Sequence, residues 1–402
     1  MAERVRVVEV VYGFGIEAEG GGAERFAIDL ARHLDQERFE VVVCGLRDLG
    51  TDFEHERMQA LQAQGIQAFA AAQWDLQRPY QSFSRAVRAM RQRLSTPKGQ
   101  ILHSHSEFGD MAIVALKASL KNMVCLRTVH NGHPIEWRKR PLRRLLLTNF
   151  LYPLVFWKEI GVNQGIVARL NQRLVARLSG AKAVRLSNAI DLRRFDGCVP
   201  DRAGLRRSLG LPDDTPLVAS VGRLAEGKGL DSALRAAALV AVDLPQAHFL
   251  VVGEGEKEAE LKSLAQELGL QSKVVFTGAR DDVENLLAAV DVLVSASLWE
   301  GISTVILESM AARTPVVATD IPGNREILED QVHGWLVPVD NPGALAKAVK
   351  SALTHSDLRE NIVERAFQRV QDFSIQALAS QHEALYRRAA ERLERGGLKT
   401  AS

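Results

Sequence analysis

The chain has 402 residues, and its 46% hydrophobic and 25% charged residues are typical of a globular protein with a sizeable core. Because a single core seldom grows beyond about 250–300 residues, this length predicts two domains. Lysine and arginine number 51 and acidic residues 49, so a formal net charge of +2 excludes a general electrostatic case for nucleic-acid binding.

The cysteines and the apolar runs indicate in which cellular compartment the protein works. Cys44, Cys125 and Cys198 are scattered along the sequence, which favours neither a disulfide framework nor a zinc site and indicates a reducing environment. The first apolar run, residues 5–11, is short and interrupted by charges, unlike a signal peptide. No apolar stretch approaches the length of about 18 residues that a transmembrane helix needs. We therefore expect a cytoplasmic protein.

Short apolar runs and helical patterns alternate through the first half of the chain. Strand patterns lie at residues 4–12, 40–44, 66–69, 100–102, 123–129 and 183–186, and helical patterns at about 22–34, 54–64, 80–94, 108–120 and 164–178. This alternation predicts a parallel, doubly wound sheet. In such a sheet the ligand site lies at the carboxyl ends of the strands.

A glycine-rich turn follows the first strand pattern. Gly13 and Gly15 are followed by Gly20, Gly21 and Gly22, directly before a helical pattern. Glycines at this point let the backbone approach a ligand and leave amides for a phosphate or a sugar, although a flexible turn would look the same. The spacing is not that of a dinucleotide fingerprint.

Histidines stand at two strand ends of this half. His103 and His105 follow the fourth strand pattern, and His130 and Asn131 follow the fifth. Because ligands bind at the carboxyl ends of parallel strands, we expect all four residues on the ligand side of the sheet. Both a functional histidine and a hydrogen-bonded structural one fit the position of His130.

Residues 137–158 differ in character from their surroundings. Five basic residues, at positions 138–140, 143 and 144, precede a dense apolar and aromatic stretch. This composition is typical of a segment at an anionic membrane surface, and it also fits a partly buried helix with a solvated basic end. Pro153 interrupts the helical pattern.

The second half repeats the alternation of strands and helices. A polar stretch with Gly197 and Pro200 predicts the linker, so we place one domain at 1–190 and the next at 191–375. Strand patterns follow at residues 216–221, 248–252, 273–277, 290–294, 315–318 and 334–337. They predict a second doubly wound sheet. Helical patterns then dominate from about residue 344, with one break.

Two cations share a glycine-punctuated loop after the first strand pattern of this half. Arg223 and Lys228 alternate there with Gly222, Gly227 and Gly229. Arginine binds phosphate oxygens as a fork and lysine as a point charge, so both side chains can reach one diphosphate. Two solvated surface cations are the alternative.

A second glycine pair resembles the start of a dinucleotide fingerprint. Gly253 and Gly255 have the required spacing, but Glu258 occupies the third glycine position. The sequence therefore gives only weak support for a nicotinamide dinucleotide.

Residues 290–313 predict a strand, a turn and a helix. Glu300 and Gly301 lie in the turn, and Glu308 lies in the helix. The amides of residues 301–304 then stand at a helix N-terminus, where the helix dipole favours an anion. Taken singly, each glutamate would also fit a solvated surface position. The pair around a phosphate-binding turn favours a ligand with a phosphate centre and polar ends.

Together these motifs resemble those of the retaining glycosyltransferases of family 4, which have the GT-B fold. The residues that carry the resemblance are Gly21, Gly22, Ala23, Glu24, His130, Asn131, Gly222, Arg223, Lys228, Gly229, Gly253, Gly255, Glu300 and Glu308. The resemblance covers nearly the whole chain and is closest over residues 216–340. It implies an α/β architecture of two doubly wound, Rossmann-like domains facing each other across a cleft, with the helix at 376–402 crossing back onto the first domain.

The resemblance also assigns roles to particular residues. Arg223 and Lys228 would neutralise the diphosphate of a nucleotide-sugar donor, Glu300 would hold hydroxyls of the donor sugar, and Glu308 would bind the ribose. His130 would contact the sugar near the reacting carbon. The further residues expected at the substrate are Gly21, Gly22, Asn131, Gly222, Gly253, Arg280, Gly301, Ile302, Ser303 and Thr304.

The implied chemistry needs no cofactor and no metal. Cleavage of the donor leaves negative charge on the diphosphate, and fixed cations can stabilise that charge. Asp-x-Asp, the usual metal signature of the other glycosyltransferase fold, is absent from the sequence. By the resemblance, configuration is retained through front-face attack, so Glu300 positions the donor and forms no covalent intermediate.

We therefore expect a transferase that moves a hexose from a nucleotide sugar to a hydroxyl of a glycolipid or polysaccharide intermediate in cell-envelope synthesis. It would be peripheral at the inner face of the cytoplasmic membrane through residues 137–158, without a nucleic-acid partner. A nucleotide-sugar epimerase or hydrolase and a catalytically idle binding protein are the alternatives. After Gly301 the family often has Phe or Leu and then Pro or Gly, whereas this chain has Ile302 and Ser303, so the sequence does not identify the sugar.

Overall fold

The computed structural model describes residues 4–15, 22–96, 98–120, 122–130, 145–180, 183–198 and 200–398. The chain forms two compact units. The first contains Met1–Ile16, Gly21–Asn188 and Ile375–Ser402, and the second contains Glu17–Gly20 and Ala189–Ser374. The final helix therefore belongs to the first unit, although the whole second sheet precedes it in the sequence.

Seven parallel strands form the sheet of the first unit. They are β1 (Val5–Val11), β2 (Phe39–Asp48), β3 (Gln67–Gln73), β4 (Gln100–Ser104), β5 (Met123–Val129), β6 (Lys158–Gly161) and β7 (Val184–Arg185). Their order is β3-β2-β1-β4-β5-β6-β7, and it reverses between β1 and β4, where Val10 pairs with Ser104. Such a switch point is where doubly wound sheets bind ligands.

Helices connect these strands and bury them. The last five residues of β1 are all buried, as expected for a parallel strand covered on both faces. The helices are Gly22–His33, Asp52–Ala63, Pro79–Arg93, Glu107–Lys117, Tyr152–Val155, Gln164–Gln172, Leu174–Ser179 and Ile375–Leu398. Side chains of Thr51, Ser106 and Asn163 each accept a backbone N–H at a helix start, which fixes where these helices begin.

The Ile375–Leu398 helix packs against β4, β5 and the Gly22–His33 helix. Its buried face includes Leu378, His382, Tyr386 and Ala389, spaced three or four residues apart as one face of a helix requires. Two of these four side chains are polar, which is unusual for a core-facing stripe. Their partners, described below, explain why the stripe is not wholly apolar.

Six parallel strands form the sheet of the second unit. They are β8 (Leu217–Val221), β9 (His248–Val252), β10 (Val274–Gly278), β11 (Val292–Ser295), β12 (Val316–Thr319) and β13 (Trp335–Val337), in the order β10-β9-β8-β11-β12-β13. The order reverses between β8 and β11, where Val218 pairs with Val292. The helices are Arg202–Ser208, Leu230–Asp243, Glu258–Glu267, Val283–Ala289, Thr304–Ala311, Pro322–Arg325, Pro342–Thr354 and Ser356–Val370.

The segment predicted at 137–158 is divided in the structure. Its residues up to 144 lie outside the described part. Leu147–Leu151 forms a π-helical turn, Tyr152–Val155 continues as α-helix, and β6 begins at Lys158. Periodicity did not predict β6, because it has four residues and starts with a charged pair. Tyr152 and Phe156 are core residues, so the alternative of partial burial holds for these two.

None of the helices in the described ranges is long and apolar enough to cross a lipid bilayer.

Candidate active site

The carboxyl ends of β8 and β11 meet at the switch point of the second sheet. The loop after β8 contains Arg223 and Lys228, and the loop after β11 contains Glu300. Together the two loops and strand ends line an open depression of about 310 Å³. Its polar lining residues include Ser220, Arg223, Lys228, Ser295, Ser297, Glu300 and Ser303. The structure therefore brings together the cations and the turn glutamate that the sequence singled out.

Glycines let these two loops touch. Gly229 has a φ of +60°, in the left-handed region, and a Cβ there would overlap the carbonyl oxygen of Ala296. A Cβ at Gly227 would overlap the ring of Trp299. The Leu298 N–H donates to the Gly227 carbonyl at 2.8 Å, which closes the contact. Lys228 lies between the two glycines and is thereby placed against the second loop.

Lys228 and Glu300 form an ion pair across the depression between Nζ and Oε1. The same carboxylate oxygen accepts a hydrogen bond from Ser297 Oγ at 3.0 Å. The side chain of Glu300 is 12% exposed and that of Lys228 is 35% exposed, so the pair lies at the boundary between protein and solvent. A polyanionic ligand can compete for the lysine, and hydroxyl groups can compete for the carboxylate.

Arg223 is exposed and lines the same depression. Its guanidinium makes no hydrogen bond or ion pair with any of the residues that the structure describes. The backbone around it is fixed, because the Leu224 N–H donates to Glu254 O at 2.8 Å and the Lys257 N–H donates to Leu224 O at 2.9 Å. Arg223 therefore has a fixed backbone and a guanidinium that can bind an anion.

Gly222 and Gly253 have a packing role. They follow β8 and β9, and a Cβ at Gly253 would overlap the Gly222 carbonyl oxygen. The Gly253 N–H donates to the carbonyl of Gly278, which ends β10, at 2.8 Å. Three neighbouring strand ends are thus held close together by backbone contacts. Any direct contact of these glycines with a substrate stays a prediction.

Residues 301–304 form the turn into the Thr304–Ala311 helix, as predicted. Ile302 is buried, whereas Ser303 lines the depression together with Glu300. Ser303 is the N-cap residue, yet its side chain makes no capping hydrogen bond. Its hydroxyl therefore does not cap the helix, whereas N-cap serines normally accept a backbone N–H.

Glu308 lies in the same helix and is buried, with 4% of its surface exposed. Arg194 Nη1 approaches its Oε1 to 3.5 Å and also pairs through Nη2 with Glu284. The sequence analysis did not identify Arg194, because nothing in its local pattern connects it with a helix more than 100 residues away. The ribose contact of Glu308 stays a prediction.

Arg280 is held by a carboxylate two residues away. Its Nε and Nη2 donate to Asp282 at 2.7 and 2.5 Å. The hydrogen bonds from Arg280 hold the pKa of Asp282 below its ordinary value. A nucleotide that uses Arg280 must therefore share or displace this bidentate partner.

Of the predicted site residues of the first unit, His130 is buried. His130 is 9% exposed, and its Nε2 lies 3.2 Å from His105 Nδ1 and its Nδ1 lies 3.0 Å from Asn188 Oδ1. Burial lowers the pKa of His130 well below its ordinary value, and the nearby His105 acts in the same direction. Its ring is therefore neutral at pH 7, with both nitrogens engaged inside the unit. Gly21 and Asn131 lie outside the described residues, and Gly22 begins the first helix.

A buried network extends inward from His130. His105 Nε2 lies 2.8 Å from Glu9 Oε2, and the Tyr386 hydroxyl donates to Glu9 Oε1 at 2.6 Å. His103 connects the Tyr386 hydroxyl, at 2.6 Å, with Thr128 Oγ1, at 2.8 Å. These partners explain why the C-terminal helix directs polar side chains into the core.

Glu9 is ionised although it is completely buried. Burial raises the pKa of its carboxyl group, but the charge of His103 and hydrogen bonds from His103 and His105 outweigh burial and hold the pKa well below its ordinary range. Burial lowers the pKa of His105 to about 4, so this ring is neutral at pH 7. A carboxylate only accepts, so His105 donates from Nε2 to Glu9 and, as a neutral ring, carries its lone pair on Nδ1. The ionised glutamate thus selects the tautomer of His105.

Glu9, His103 and His105 also offer three potential metal-ligand atoms within 4.8 Å of one another. These atoms already exchange hydrogen bonds with one another and with Tyr386. Hydrogen bonding therefore accounts for the cluster as buried polar groups require. The absence of a metal requirement stays a prediction for the whole protein.

Two family models match the chain. The model described as Glycosyltransferase Family 4 matches residues 20–194, and the model described as Glycosyl transferases group 1 matches residues 201–369. Together they cover most of both units. The chain therefore belongs to glycosyltransferase family 4, as its motifs predicted.

The chain spans about half the length of the curated relatives described next. The lipopolysaccharide core biosynthesis glycosyltransferase LpsE of Rhizobium meliloti (strain 1021) is 36% identical over 174 residues, which are 43% of this chain and 50% of that protein. The N-acetylgalactosamine-N,N'-diacetylbacillosaminyl-diphospho-undecaprenol 4-alpha-N-acetylgalactosaminyltransferase of Campylobacter jejuni is 35% identical over 157 residues, 39% of this chain and 42% of that protein.

The fold is that of solved glycosyltransferase structures. The structure of HepE from Anabaena in complex with UDP and glucose aligns with a TM-score of 0.76 at 20% identity, over 95% of this chain and 99% of that one. At this identity the likeness shows the fold alone. It confirms the predicted class of two doubly wound, parallel-sheet domains of the GT-B type.

Proposed function

We propose that this glycosyltransferase moves a hexose from a nucleoside diphosphate sugar to a hydroxyl group, with retention of configuration and without a metal. One observation carries the proposal: Arg223, which has no partner among the described residues, and the Lys228–Glu300 pair line one depression at the β8/β11 switch point. Cations, a carboxylate and accessible backbone at the carboxyl edge of a doubly wound sheet suit a nucleotide sugar.

The cations would act on the leaving group. As the glycosidic bond breaks, charge develops on the diphosphate oxygen, and a preorganised donor there contributes about 2.7–4 kcal/mol to lowering the barrier. Lys228 would turn from Glu300 to the diphosphate when the donor binds, while Arg223 approaches it from the other end of the same loop. The carboxylate of Glu300, released from the lysine, would then accept hydrogen bonds from the sugar hydroxyls.

The acceptor would be a glycolipid or polysaccharide intermediate of the cell envelope. Two relatives support this class by their names, one acting in lipopolysaccharide core biosynthesis and one on a diphospho-undecaprenol carrier. The HepE complex with UDP and glucose makes a UDP-sugar the first donor to test. We place the enzyme in the cytoplasm at the inner face of the cytoplasmic membrane, where such carriers receive their sugars.

The test is donor turnover across UDP-, GDP-, ADP- and dTDP-sugars in the presence of EDTA, followed by release of the nucleoside diphosphate. We expect slow release from one donor, lost in Lys228→Ala and Glu308→Ala. Lys262→Ala is the matched control, because it removes an exposed lysine that pairs with Glu258 in the same unit. Binding of no donor by the wild type would overturn the proposal. The anomeric configuration of the product, read by NMR, tests retention separately.

A further inference from the structure

Exposed apolar side chains are concentrated on one part of the first unit. Of the thirteen large hydrophobic residues that are exposed in the described ranges, seven lie between residues 145 and 178. They are Leu145, Leu146, Phe150, Leu151, Leu154, Leu174 and Leu178, and we call them the leucine surface. Leu154 is 68% exposed and Leu178 is 78% exposed, which is costly for a leucine in water.

The leucine surface combines two segments that are separate in the sequence. The helical turns at Leu147–Leu151 and Tyr152–Val155 both contact the Leu174–Ser179 helix. The surface therefore extends beyond the predicted segment at 137–158. A contiguous exposed apolar patch of this kind indicates an interaction site, whereas single exposed leucines do not.

The elements below the leucine surface are firmly anchored. Arg173 donates to the carbonyl oxygens of Thr148, at 2.6 Å, and Leu170, at 2.8 Å, and pairs with the buried Glu159. Arg127 lies 4.3 Å above the ring of Tyr152 and pairs with Glu159 at 3.4 Å. The exposed leucines are thus held outward by a buried ionic cluster and are not frayed ends.

The stretch of sequence that contains the leucine surface has charge of one sign. Between residues 137 and 190 the sequence contains eleven basic residues and one acidic residue, Glu159. The basic residues are Arg138, Lys139, Arg140, Arg143, Arg144, Lys158, Arg169, Arg173, Arg177, Lys182 and Arg185. Glu159 is buried and paired with arginines, so it offers no negative charge to a partner. Because the whole chain has a formal charge of only +2, the remaining residues are net negative.

We propose that the leucine surface docks onto an anionic lipid bilayer. Its leucines and phenylalanine would enter the boundary between headgroups and acyl chains, and lysines and arginines of the same stretch of sequence would bind anionic headgroups. A second copy of the chain fits less well, because a two-fold interface would bring together two copies of a stretch of sequence with ten more basic than acidic residues. The surface is separate from the β8/β11 depression, so vesicle binding and donor turnover can fail independently.

The test is flotation of the full-length protein with vesicles of phosphatidylcholine alone or mixed with phosphatidylglycerol. We expect binding to the mixed vesicles that weakens in high salt, because electrostatic attraction is screened. Leu154→Glu combined with Leu178→Glu should weaken binding at least about tenfold, since each change removes a leucine from the bilayer and adds a negative charge. Circular dichroism should remain that of the wild type, because both side chains are exposed.

The matched control is Leu239→Glu combined with Val242→Glu, on a helix of the second unit, where the two side chains are 46% and 79% exposed. This variant should bind vesicles like the wild type. Equal loss in both variants, or no binding of the wild type to anionic vesicles, would overturn the proposal. So would a dimer in light scattering that the leucine-surface variant dissociates without any vesicle binding. Nucleoside diphosphate release should be unchanged in both variants.

Discussion

The strand order reverses at equivalent places in the two sheets, but the side chains at the two switch points differ in exposure. At the β8/β11 edge, charged side chains line an open depression and Arg223 has no internal partner among the described residues. At the β1/β4 edge, Glu9, His103 and His105 are buried and satisfy one another. The same topology therefore yields an open depression lined by charged side chains in one unit and a buried hydrogen-bonded cluster in the other. Substitutions at the first edge should change catalysis, and those at the second should change stability.

The largest effect is expected at the accessible edge. Arg223→Ala should lower donor turnover about 10²–10³-fold if Arg223 stabilises the leaving diphosphate. The free energy of unfolding should stay within about 0.5 kcal/mol of the wild type, because the side chain is exposed and makes no hydrogen bond or ion pair with the described residues. Arg207→Ala, which removes an exposed arginine paired with Asp213 in the same unit, is the control. A large loss of stability in Arg223→Ala would break the comparison.

The next effect is expected at the buried edge. Glu9→Gln keeps the shape of the side chain but replaces one acceptor with a donor that faces other donors. We expect it to lower the free energy of unfolding by about 1.5–3 kcal/mol, the range for a hydrogen bond to a charged group. Urea denaturation measures this loss. Glu40→Gln, at a partly exposed pair with Arg6 on the same sheet, should cost far less.

Glu9→Gln also separates positioning from stability. With Glu9 neutral, the reason for His105 to donate from Nε2 to residue 9 disappears, so the tautomer of His105, the neighbour of His130, is no longer selected. If His130 contacts the donor sugar, turnover should fall under conditions where the variant is fully folded, with little change in nucleoside diphosphate affinity. NMR of the imidazole nitrogens should show the change of tautomer. An unchanged tautomer in a folded variant would contradict the selection by Glu9.

Acid should lower the free energy of unfolding through the buried histidines of the first unit. Burial lowers the pKa of His105 to about 4 and that of His382 to about 3, below the ordinary value for histidine. Each neutral ring therefore contributes stability that is present above pH 6.5 and lost as the pH falls towards the lowered pKa, by about 1.4 kcal/mol per pH unit. Stability measured by urea at pH 7, 6 and 5 should show this slope.

A variant of the C-terminal helix sharpens the pH prediction. His382 is completely buried, its Nδ1 lies 3.1 Å from Leu378 O, and its Nε2 has no partner among the described atoms. Replacing it by glutamine removes one group that binds a proton on unfolding. The number of protons bound on unfolding, which sets the slope of the unfolding free energy against pH, should therefore fall by about one between pH 7 and 5. His355→Gln, at an exposed helix end, is the control. Equal slopes in His382→Gln and the wild type would contradict the assignment.

Sequence patterns predicted the accessible edge well, because its signals are local. Glycines around Lys228 mark a tight turn, and the change from strand to helix pattern places Glu300 in the turn and Glu308 in the helix, as the structure has them. The alternation of elements likewise predicted both parallel sheets. Local spacing could not show that Arg194 approaches Glu308, since that contact depends on the folded second unit.

The buried edge was less predictable, because its partners are distant in the sequence. Tyr386 donates to Glu9 across 377 positions, and no local pattern connects them. The sequence offered two signals. Glu9 is a charged residue inside the first apolar run, and His382 and Tyr386 lie four residues apart on the late amphipathic helix. Strand β6 was missed for a different reason: it is four residues long, and its pattern is dominated by the apolar run before it.

The smallest effect concerns Ser303, where the chain departs from the usual family pattern. Its side chain does not cap the helix that it begins, so Ser303→Ala should change the free energy of unfolding by less than about 0.5 kcal/mol. If the hydroxyl contacts the donor sugar, the KM for the donor should rise up to about tenfold, the cost of one hydrogen bond, with little change in kcat. Comparing UDP-sugars that differ at one hydroxyl would identify the contact, since only the donor carrying that hydroxyl should lose affinity. An equal loss for all donors would instead assign Ser303 to the phosphate, and the departure from the family pattern would then carry no information about the sugar.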